Sequence, residues 1–292
     1  MKNTIIRFIF LILIIGFSFG LSFLLMDTSS GDDLWSSVTF KSWGLIFGIQ
    51  AIVFLPSFIF KTEHYFDLTG GFTFIYVLGF LINSEYNFTN QFSVKLIPLV
   101  LIIIWAIRLS SFLFIRVKRS GKDLRFDEIK TNFLRFLIAW ALQGLWVFMC
   151  LLPVISMVSS KKSLSFNYII SGVIFWIAGW MIEVFSDIQK TRFNANKKNK
   201  GKFISSGLWS KSRHPNYFGE FILWLGITII AFPSFSGFQY LACLTPVFVY
   251  LLLNNVSGVN LLEEIAEKRW GENEDYQNYK NNTPVFFPKI FK

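Results

Sequence analysis

One stretch of the sequence, SRHPNYFGE, places an arginine and a histidine immediately before an apolar run that is long enough to cross a membrane. Pro215 suits the first turn of a helix, because its φ is already helical and the N–H that it lacks would have no partner there. The free amides of that turn and the positive end of the helix dipole favour an anion. An anion arriving beside Arg213 and His214 could therefore bind here, although the same two residues could simply anchor a helix end among lipid headgroups.

The first turn of this run also carries polar groups into the apolar segment. Asn216 and Glu220 are four residues apart, so they share one face of the helix, and Tyr217 directly follows Asn216. An ionisable group one turn into a membrane helix must face protein or a polar cavity. Glu220 therefore indicates a ligand-binding site at this end of the helix.

A second polar face lies at the end of the preceding apolar run. Glu183, Asp187 and Lys190 are spaced i, i+4, i+7, which places two carboxylates and a cation on one helix face. Such carboxylates can bind ribose hydroxyls or a carboxamide, while the alternative is a charged face that only meets the membrane surface. Five further bases follow in a loop rich in Asn and could bind either phosphates or anionic lipids: Arg192, Lys197, Lys198, Lys200 and Lys202.

The elements that must position these residues are membrane helices. The chain is only 16% charged, whereas soluble domains carry about 25% charged residues. Eight apolar runs approach or exceed the length needed to cross ~30 Å of hydrocarbon: 5–26, 43–60, 66–82, 92–115, 133–158, 166–186, 216–233 and 237–256. We therefore expect an all-α, polytopic membrane helix bundle that forms a single domain over residues 1–292. It has eight spans, or seven if the first is a cleaved signal peptide.

The distribution of basic residues predicts the orientation of the bundle. Basic loops stay on the cytoplasmic side of a membrane, and segments 116–135 and 190–213 hold seven and eight Lys or Arg residues. An eight-span arrangement places both segments and both ends of the chain on one side. The opposite side then shows only Lys41, Lys95, Lys161 and Lys162. We expect a multi-pass protein of the cell membrane with its N- and C-termini and its ligand site in the cytoplasm.

The sequence lacks the residue patterns of several common metal, nucleotide and nucleophile sites. The two histidines, His64 and His214, and the two cysteines inside apolar runs, Cys150 and Cys243, do not give the usual spacing of zinc ligands, so we expect no metal. No Gly-x-Gly-x-x-Gly follows a strand-like segment, and no P-loop or Gly-x-Ser-x-Gly motif is present. A Rossmann, Walker or serine-elbow site is thereby excluded. No nucleic-acid or protein partner is indicated, and the lipid bilayer is the expected surrounding.

A third group of polar residues lies earlier in the chain. Arg108 falls inside the fourth apolar run, where a buried guanidinium needs an anionic partner. Asp67, in the segment FDLTGG, or a ligand phosphate could provide that partner.

Several segments together resemble the bacterial membrane proteins of the steroid 5-alpha-reductase family, often called the domain-of-unknown-function 1295 group. They are GLWSKSRHPNYFGE, the downstream VSGVNLLEE and TPVFFP, and WAIRLSSFLFIRVKRSGKDLRF, and the resemblance covers about residues 60–290. It implies a cytosol-facing NADPH site formed by about residues 180–290 and a lipid-facing cavity for an apolar, lipid-like substrate. The implied cofactor contacts are Glu183, Asp187, Arg192, Lys202, Arg213, His214, Asn216, Tyr217 and Glu220.

The resemblance also implies the reaction: hydride transfer from NADPH to the β-carbon of a carbonyl-conjugated C=C bond, and protonation of the α-carbon. In steroid-reducing members, a Tyr and Glu pair on earlier helices polarises the carbonyl. Here Trp105 stands in place of the Tyr, and Asp67 is the plausible acid. The candidate donors are Asp67 and Tyr76, with Tyr65 as a further tyrosine of the same segment. We expect NADPH to be preferred over NADH.

A competing interpretation is a lipid or isoprenylcysteine methyltransferase that uses S-adenosylmethionine. Those membrane enzymes also combine Arg-His-Pro-x-Tyr-x-Gly with a later Glu-Glu and a Gly and Tyr pair, for which this chain offers Glu263, Glu264, Gly271, Tyr276 and Tyr279. Asn216, Glu220, the Asp187 face and the basic loop favour the reductase, because a basic loop suits three phosphates better than a sulfonium. A non-enzymatic channel or transporter is a third interpretation, but the chain shows no repeat of interrupted helices in two halves.

Overall fold

The computed structural model describes residues 2–26, 34–89, 94–121, 123, 126–256 and 258–289. Every regular element in these ranges is helical. Among the described residues, eight spans are long and apolar enough to cross a membrane. The prediction of an all-α, polytopic membrane fold with eight spans is therefore confirmed.

The first five helices each form one span, and the later ones are more varied. The α-helices are α1 (Lys2–Leu24), α2 (Val38–Ile59), α3 (Phe66–Thr89), α4 (Leu96–Ser120), α5 (Phe133–Ser159), α6 (Phe166–Ala195), α7 (Pro215–Ala231), α8 (Thr245–Leu251), α9 (Val259–Trp270) and α10 (Glu274–Asn282). Short 3-10 helices cover Lys197–Asn199, Gly207–Ser210, Phe232–Ser234 and Gly237–Leu244, and Leu252–Val256 is a π-helix.

Two spans differ from the boundaries that hydropathy predicts. Helix α6 extends beyond the apolar run 166–186, as the helical spacing up to Lys190 predicts, and it continues to Ala195, because its polar last turns leave the hydrocarbon without leaving the helix. At 1.5 Å per residue, its 30 residues extend about 45 Å, more than the ~30 Å of hydrocarbon. The run 237–256 is not a uniform α-helix but a succession of 3-10, α and π segments, with Pro246 in the first turn of α8.

The chain divides into two compact units, which we describe separately. The first unit comprises Met1–Ser165 with Ala231–Ala242, and the second comprises Phe166–Ile230 with Cys243–Lys292. The first unit contains α1–α5, and the second contains α6–α10. The organisation of the whole chain as a single membrane domain stays a prediction.

In the first unit, a cluster of large side chains holds α2, α5 and the connection after α4 together. Phe54, Phe126, Phe136 and Trp140 are all nearly inaccessible to solvent and pack as one core. The same unit buries neutral polar groups inside its spans, and several of them hydrogen-bond across or along the helices. Several hydrogen bonds show this: Gln50 Nε2 donates to Thr73 Oγ1 (3.0 Å), Thr73 Oγ1 to the Thr69 carbonyl (2.7 Å), and Gln143 Nε2 to the Phe66 carbonyl (3.0 Å).

One buried carboxylate connects the loop between α2 and α3 to the loop after α4 in the first unit. Glu63, between α2 and α3, accepts from Lys130 Nζ (2.7 Å) and from the Asp123 amide (3.2 Å). Burial alone would raise the pKa of Glu63, but the hydrogen bonds from Lys130 and the Asp123 amide outweigh it and hold that pKa below its ordinary value. The carboxylate therefore stays ionised and binds the loop after α4.

In the second unit, glycines let the backbones of α6 and α7 touch. A Cβ placed on Gly172 would lie 2.5 Å from the Gly226 carbonyl oxygen, and one on Gly179 would lie 2.5 Å from the Gly219 carbonyl oxygen. The two glycines of each helix are seven residues apart, which is about two helical turns. They therefore lie on one face, and the close contact continues along both helices. Small residues allow this close approach in membranes, and it fixes how the polar ends of α6 and α7 face each other.

Candidate functional site

The motif before α7 forms a turn that is stabilised by a distant part of the same unit. Pro215 is the first residue of α7, as predicted, and His214 lies just outside it. The His214 amide donates to Ser212 Oγ (3.2 Å), which itself donates to the carbonyl of Phe286 (2.9 Å). The Arg213 amide donates to the Pro284 carbonyl (2.9 Å). Residues 284–289 thus form a strap along the turn, which holds Arg213 and His214 in place.

A carboxylate from α9 joins the arginine and the histidine. Glu263 Oε2 accepts from Arg213 Nη1 at 2.5 Å, and Glu263 Oε1 lies 2.8 Å from His214 Nε2. The Arg213 side chain is only 10% exposed, and its Nε has no hydrogen-bond partner among the described residues. One donor of this guanidinium is therefore buried and available to an acceptor that the chain itself does not supply.

The protonation of His214 follows from its surroundings. Burial lowers the pKa of His214 below its ordinary value, and the neighbouring Lys190 and Arg213 act in the same direction, against the attraction of Glu263. The imidazole is therefore neutral near pH 7. Because an ionised carboxylate can only accept, Nε2 carries the proton toward Glu263 and Nδ1 is an acceptor. The ring stacks on Tyr217, with centroids 5.6 Å apart and planes 9° apart.

The structure brings together the two polar faces that the sequence suggested separately. Asn216 Nδ2, in the first turn of α7, lies 3.4 Å from Asp187 Oδ1 on α6. Glu183, Asp187 and Glu220 are all buried, with 2%, 7% and 7% of their surface exposed. The glycine contact explains this, because a Cβ on Gly219 would stand 2.6 Å from the Glu183 amide nitrogen. Asn216 and Asp187 thus meet at one end of the α6–α7 pair, where Glu183 and Glu220 are also buried.

The basic loop after α6 lies at the surface of the second unit. Arg192 and Lys202 are both exposed, so the structure does not place them among the buried groups. The loop is nevertheless held by hydrogen bonds within itself and from α9: Asn199 Nδ2 donates to the Phe193 carbonyl (3.0 Å), and Trp270 Nε1 donates to the Gly201 carbonyl (2.7 Å). Lys190, at the start of this region, lies over the Trp209 ring at 4.5 Å.

The candidate donors of the first unit lie on one helix at different depths. Asp67 is in the first turn of α3 and half-buried, while Tyr76 follows nine residues later and is 50% exposed. That spacing corresponds to about 13 Å along the helix axis, so the two side chains do not lie beside the same point of the helix surface. Trp105, which replaces the tyrosine of the resemblance, is buried and packs edge-on against Phe74. It is a packing residue.

A comparison with protein families identifies the chain's relatives. The family described as "Protein of unknown function (DUF1295)" matches residues 53–283, which is most of the chain and includes every candidate site residue. The chain belongs to the DUF1295 family. A comparison with curated proteins finds no match. The family part of the predicted resemblance is confirmed, while its link to steroid reductases stays a prediction.

In this DUF1295 protein, the partnership of Glu263 with Arg213 and His214 was not predicted. The sequence offered a signal, since Glu263 belongs to the Glu-Glu pair of the competing interpretation, but its partners lie about fifty residues earlier. Glu263 also lines a cavity of about 500 Å³ together with Tyr250, Asn254, Asn260 and the strap. Glu264, the other member of the pair, instead lies at the surface and pairs with Lys268 at 2.6 Å.

Proposed function

We propose that this DUF1295 protein is a membrane-embedded, NADPH-dependent reductase of a carbonyl-conjugated C=C bond in an apolar, lipid-like substrate. The observation that carries the proposal is the group of buried ionisable and amide side chains where α6 meets α7. A membrane helix pair gains little stability from burying carboxylates, so their presence favours a ligand with hydroxyl or amide groups.

The residues present fit such a cofactor. Arg213 Nε is buried and lacks an acceptor among the described residues, which suits a phosphate oxygen. Asp187, Glu183 and Glu220 can accept from ribose hydroxyls or from a carboxamide, and Asn216 can both donate and accept. Tyr217 and neutral His214 add a stacked pair of rings beside Arg213. Arg192 and Lys202, which are exposed, could close over the 2′-phosphate.

NADPH would supply the hydride for the β-carbon of the substrate. The protein must stabilise the carbonyl oxygen as negative charge develops on it, which a preorganised donor in a water-poor site does best. Asp67, if protonated, or Tyr76 would donate that hydrogen bond, and the α-carbon takes a proton to complete the addition. Because Asp67 and Tyr76 lie about 13 Å apart along α3, only one of them can have this role.

Binding measurements on the detergent-solubilised protein test the cofactor. A ligand that binds only the folded form raises the thermal midpoint, so NADPH should raise it. Because charge-assisted hydrogen bonds to the 2′-phosphate contribute about 1.5–3 kcal/mol, NADH should bind roughly 10- to 150-fold more weakly. Glu220→Gln keeps the shape of the side chain but loses its charge, and it should weaken NADPH binding. Glu264→Gln, at the surface of α9, is the matched control.

Turnover tests the reaction. Addition of an apolar enone should consume NADPH, and Asp67→Ala or Tyr76→Phe should abolish that consumption while NADPH binding persists. If both variants keep the wild-type rate, the donor lies elsewhere or the reaction is not an enone reduction.

One contact favours a second candidate, a methyltransferase that uses S-adenosylmethionine. Glu263 meets the Arg213–His214 pair, so the first Glu of the Glu-Glu motif and the Arg-His-Pro motif form one cluster. Glu263 also neutralises Arg213, which makes the cluster less attractive to phosphates. A rise in thermal midpoint with S-adenosylmethionine, and none with NADPH, would decide for the methyltransferase.

We further propose that the protein lies in the cell membrane with both termini and the α7 motif on the cytoplasmic side. The basic segments after α4 and α6 support this orientation. Cysteines introduced at Lys198 and Asn281 should react with an impermeant maleimide only when the cytoplasmic side is accessible. Labelling of the two positions from opposite sides of the membrane would contradict the eight-span topology.

A further inference from the structure

A groove between α2 and α3, in the first unit, has the composition of a lipid site. Its volume is about 830 Å³, and its walls are formed by Trp35, Phe40 and Leu45 on one side and by Ile75, Tyr76 and Phe80 on the other. The two helices run in opposite directions, so the start of α2 faces the second half of α3. The groove therefore extends from the end of the spans into their apolar part.

The polar side chains along the groove are donors. Lys41 brings an ammonium group, Tyr76 a phenol and Trp35 an indole N–H, and no carboxylate is among those lining residues that the structure describes. Trp35 is 73% exposed and precedes α2, and Trp and Lys are the residues that mark the level of lipid headgroups. A ligand that suits this groove has an apolar chain, acceptor oxygens and a negative charge at the headgroup level.

Two glycines give the groove its depth. Gly44 on α2 and Gly79 on α3 both line it, and no described atom lies within 4 Å of the place where a Cβ would stand on either. Neither glycine is therefore required for helix packing. Elsewhere in the protein, by contrast, glycines such as Gly219 are in contact with a neighbouring backbone.

We propose that this groove binds one anionic phospholipid, with an acyl chain between Gly44 and Gly79 and its phosphate beside Lys41. The acyl chain covers the apolar walls, the Lys41 ammonium pairs with the phosphate, and an ester carbonyl offers an acceptor to the Trp35 indole N–H. A zwitterionic lipid would fill the same space, but its choline or ethanolamine would offset the attraction of Lys41 for the phosphate.

The groove can be filled without disturbing the fold, which gives a direct test. Gly44→Leu and Gly79→Leu each place an isobutyl group in the space assigned to the acyl chain. Gly48→Leu is the matched control, because Gly48 lies one turn further along α2, is equally free of neighbours and does not line the groove. Lys41→Gln removes the charge and keeps a polar group of similar reach.

The full-length protein in detergent is titrated with dioleoylphosphatidylglycerol or dioleoylphosphatidylcholine, and bound lipid is counted by native mass spectrometry. The wild type and Gly48→Leu should retain one phosphatidylglycerol at saturation. Gly44→Leu and Gly79→Leu should lose it, and Lys41→Gln should reduce the preference for phosphatidylglycerol about fivefold. Soluble glycerol 3-phosphate should not compete, because it lacks the chain; if it competes, the site recognises phosphate alone. Equal lipid retention by all three leucine variants would overturn the proposal.

Discussion

The two units bury different kinds of polar residue. Inside its spans the first unit buries neutral groups, such as Gln50 and Thr73, which hydrogen-bond to each other. Among the described residues, its one buried charged side chain is Glu63, in a loop, whereas the second unit buries Glu183, Asp187, His214 and Glu220. A neutral group with a partner is cheap to bury, while a charge costs several kcal/mol unless it is paired. The difference supports the proposal that the buried polar residues of the second unit bind a ligand, whereas those of the first unit serve helix packing.

The largest effect is expected when Glu263, the carboxylate that neutralises Arg213, is removed. Glu263→Ala removes the partner of a side chain that is only 10% exposed. Breaking a buried ion pair costs about 3 kcal/mol, so the free energy of unfolding should fall by about that amount, as measured by chemical denaturation in detergent micelles. Glu264→Ala is the control: that residue pairs with Lys268 at the surface, and its loss should leave stability unchanged. Equal effects of the two substitutions would remove the special role of Glu263.

A smaller effect is expected where α6 and α7 touch. A Cβ at Gly219 would stand 2.6 Å from the Glu183 nitrogen, and because that atom is backbone, the helices must separate. Gly219→Ala should destabilise the protein by about 2 kcal/mol and should also weaken ligand binding, since Asn216 would move away from Asp187. Gly20→Ala, in an open position of α1, is the control and should change neither quantity. Normal binding by Gly219→Ala would show that the contact serves packing alone.

Acid should lower the stability of the protein through the protonation of His214. Its folded-state pKa lies below the ordinary value of 6.5, so as the pH falls below that value the unfolded chain takes up a proton that the folded chain does not. Stability should therefore be complete above about pH 6.5 and decline as the pH falls further. The thermal midpoint measured between pH 7.5 and 5.5 should follow this course. In His214→Gln, whose amide can still donate to Glu263, the decline over this interval should be smaller.

The smallest effect should come from the first unit. Gln50→Leu removes one hydrogen bond to Thr73, but it also removes a buried amide oxygen that has no partner among the described residues. The two changes oppose each other, so stability should change by less than about 1 kcal/mol. Ligand binding should be unaltered. A loss of NADPH binding in Gln50→Leu would contradict the division of roles between the two units.

The sequence predicted those features that depend on neighbouring residues. The start of α7 at Pro215 follows from the local preference of proline, and the shared face of Glu183 and Asp187 follows from helical spacing. The spacing predicted helix α6 as far as Lys190, but its end at Ala195 was not predicted, because hydropathy reports the thickness of the hydrocarbon and not the length of the helix. Glu263 was not predicted as the partner of His214, because residues fifty positions apart are brought together only by packing.

The contacts of the strap can form only late in the synthesis of the protein. A ribosome completes Ser212 and Arg213 more than seventy residues before it reaches Pro284 and Phe286, whose carbonyls those residues bind. During synthesis, the turn before α7 therefore exists for some time without its partner segment. The first five helices can insert and pack in that interval, because the segments that form them have already been translated. Ordering of the α7 turn should be among the late events of biogenesis, and a nascent chain arrested before Pro284 should show an unprotected turn.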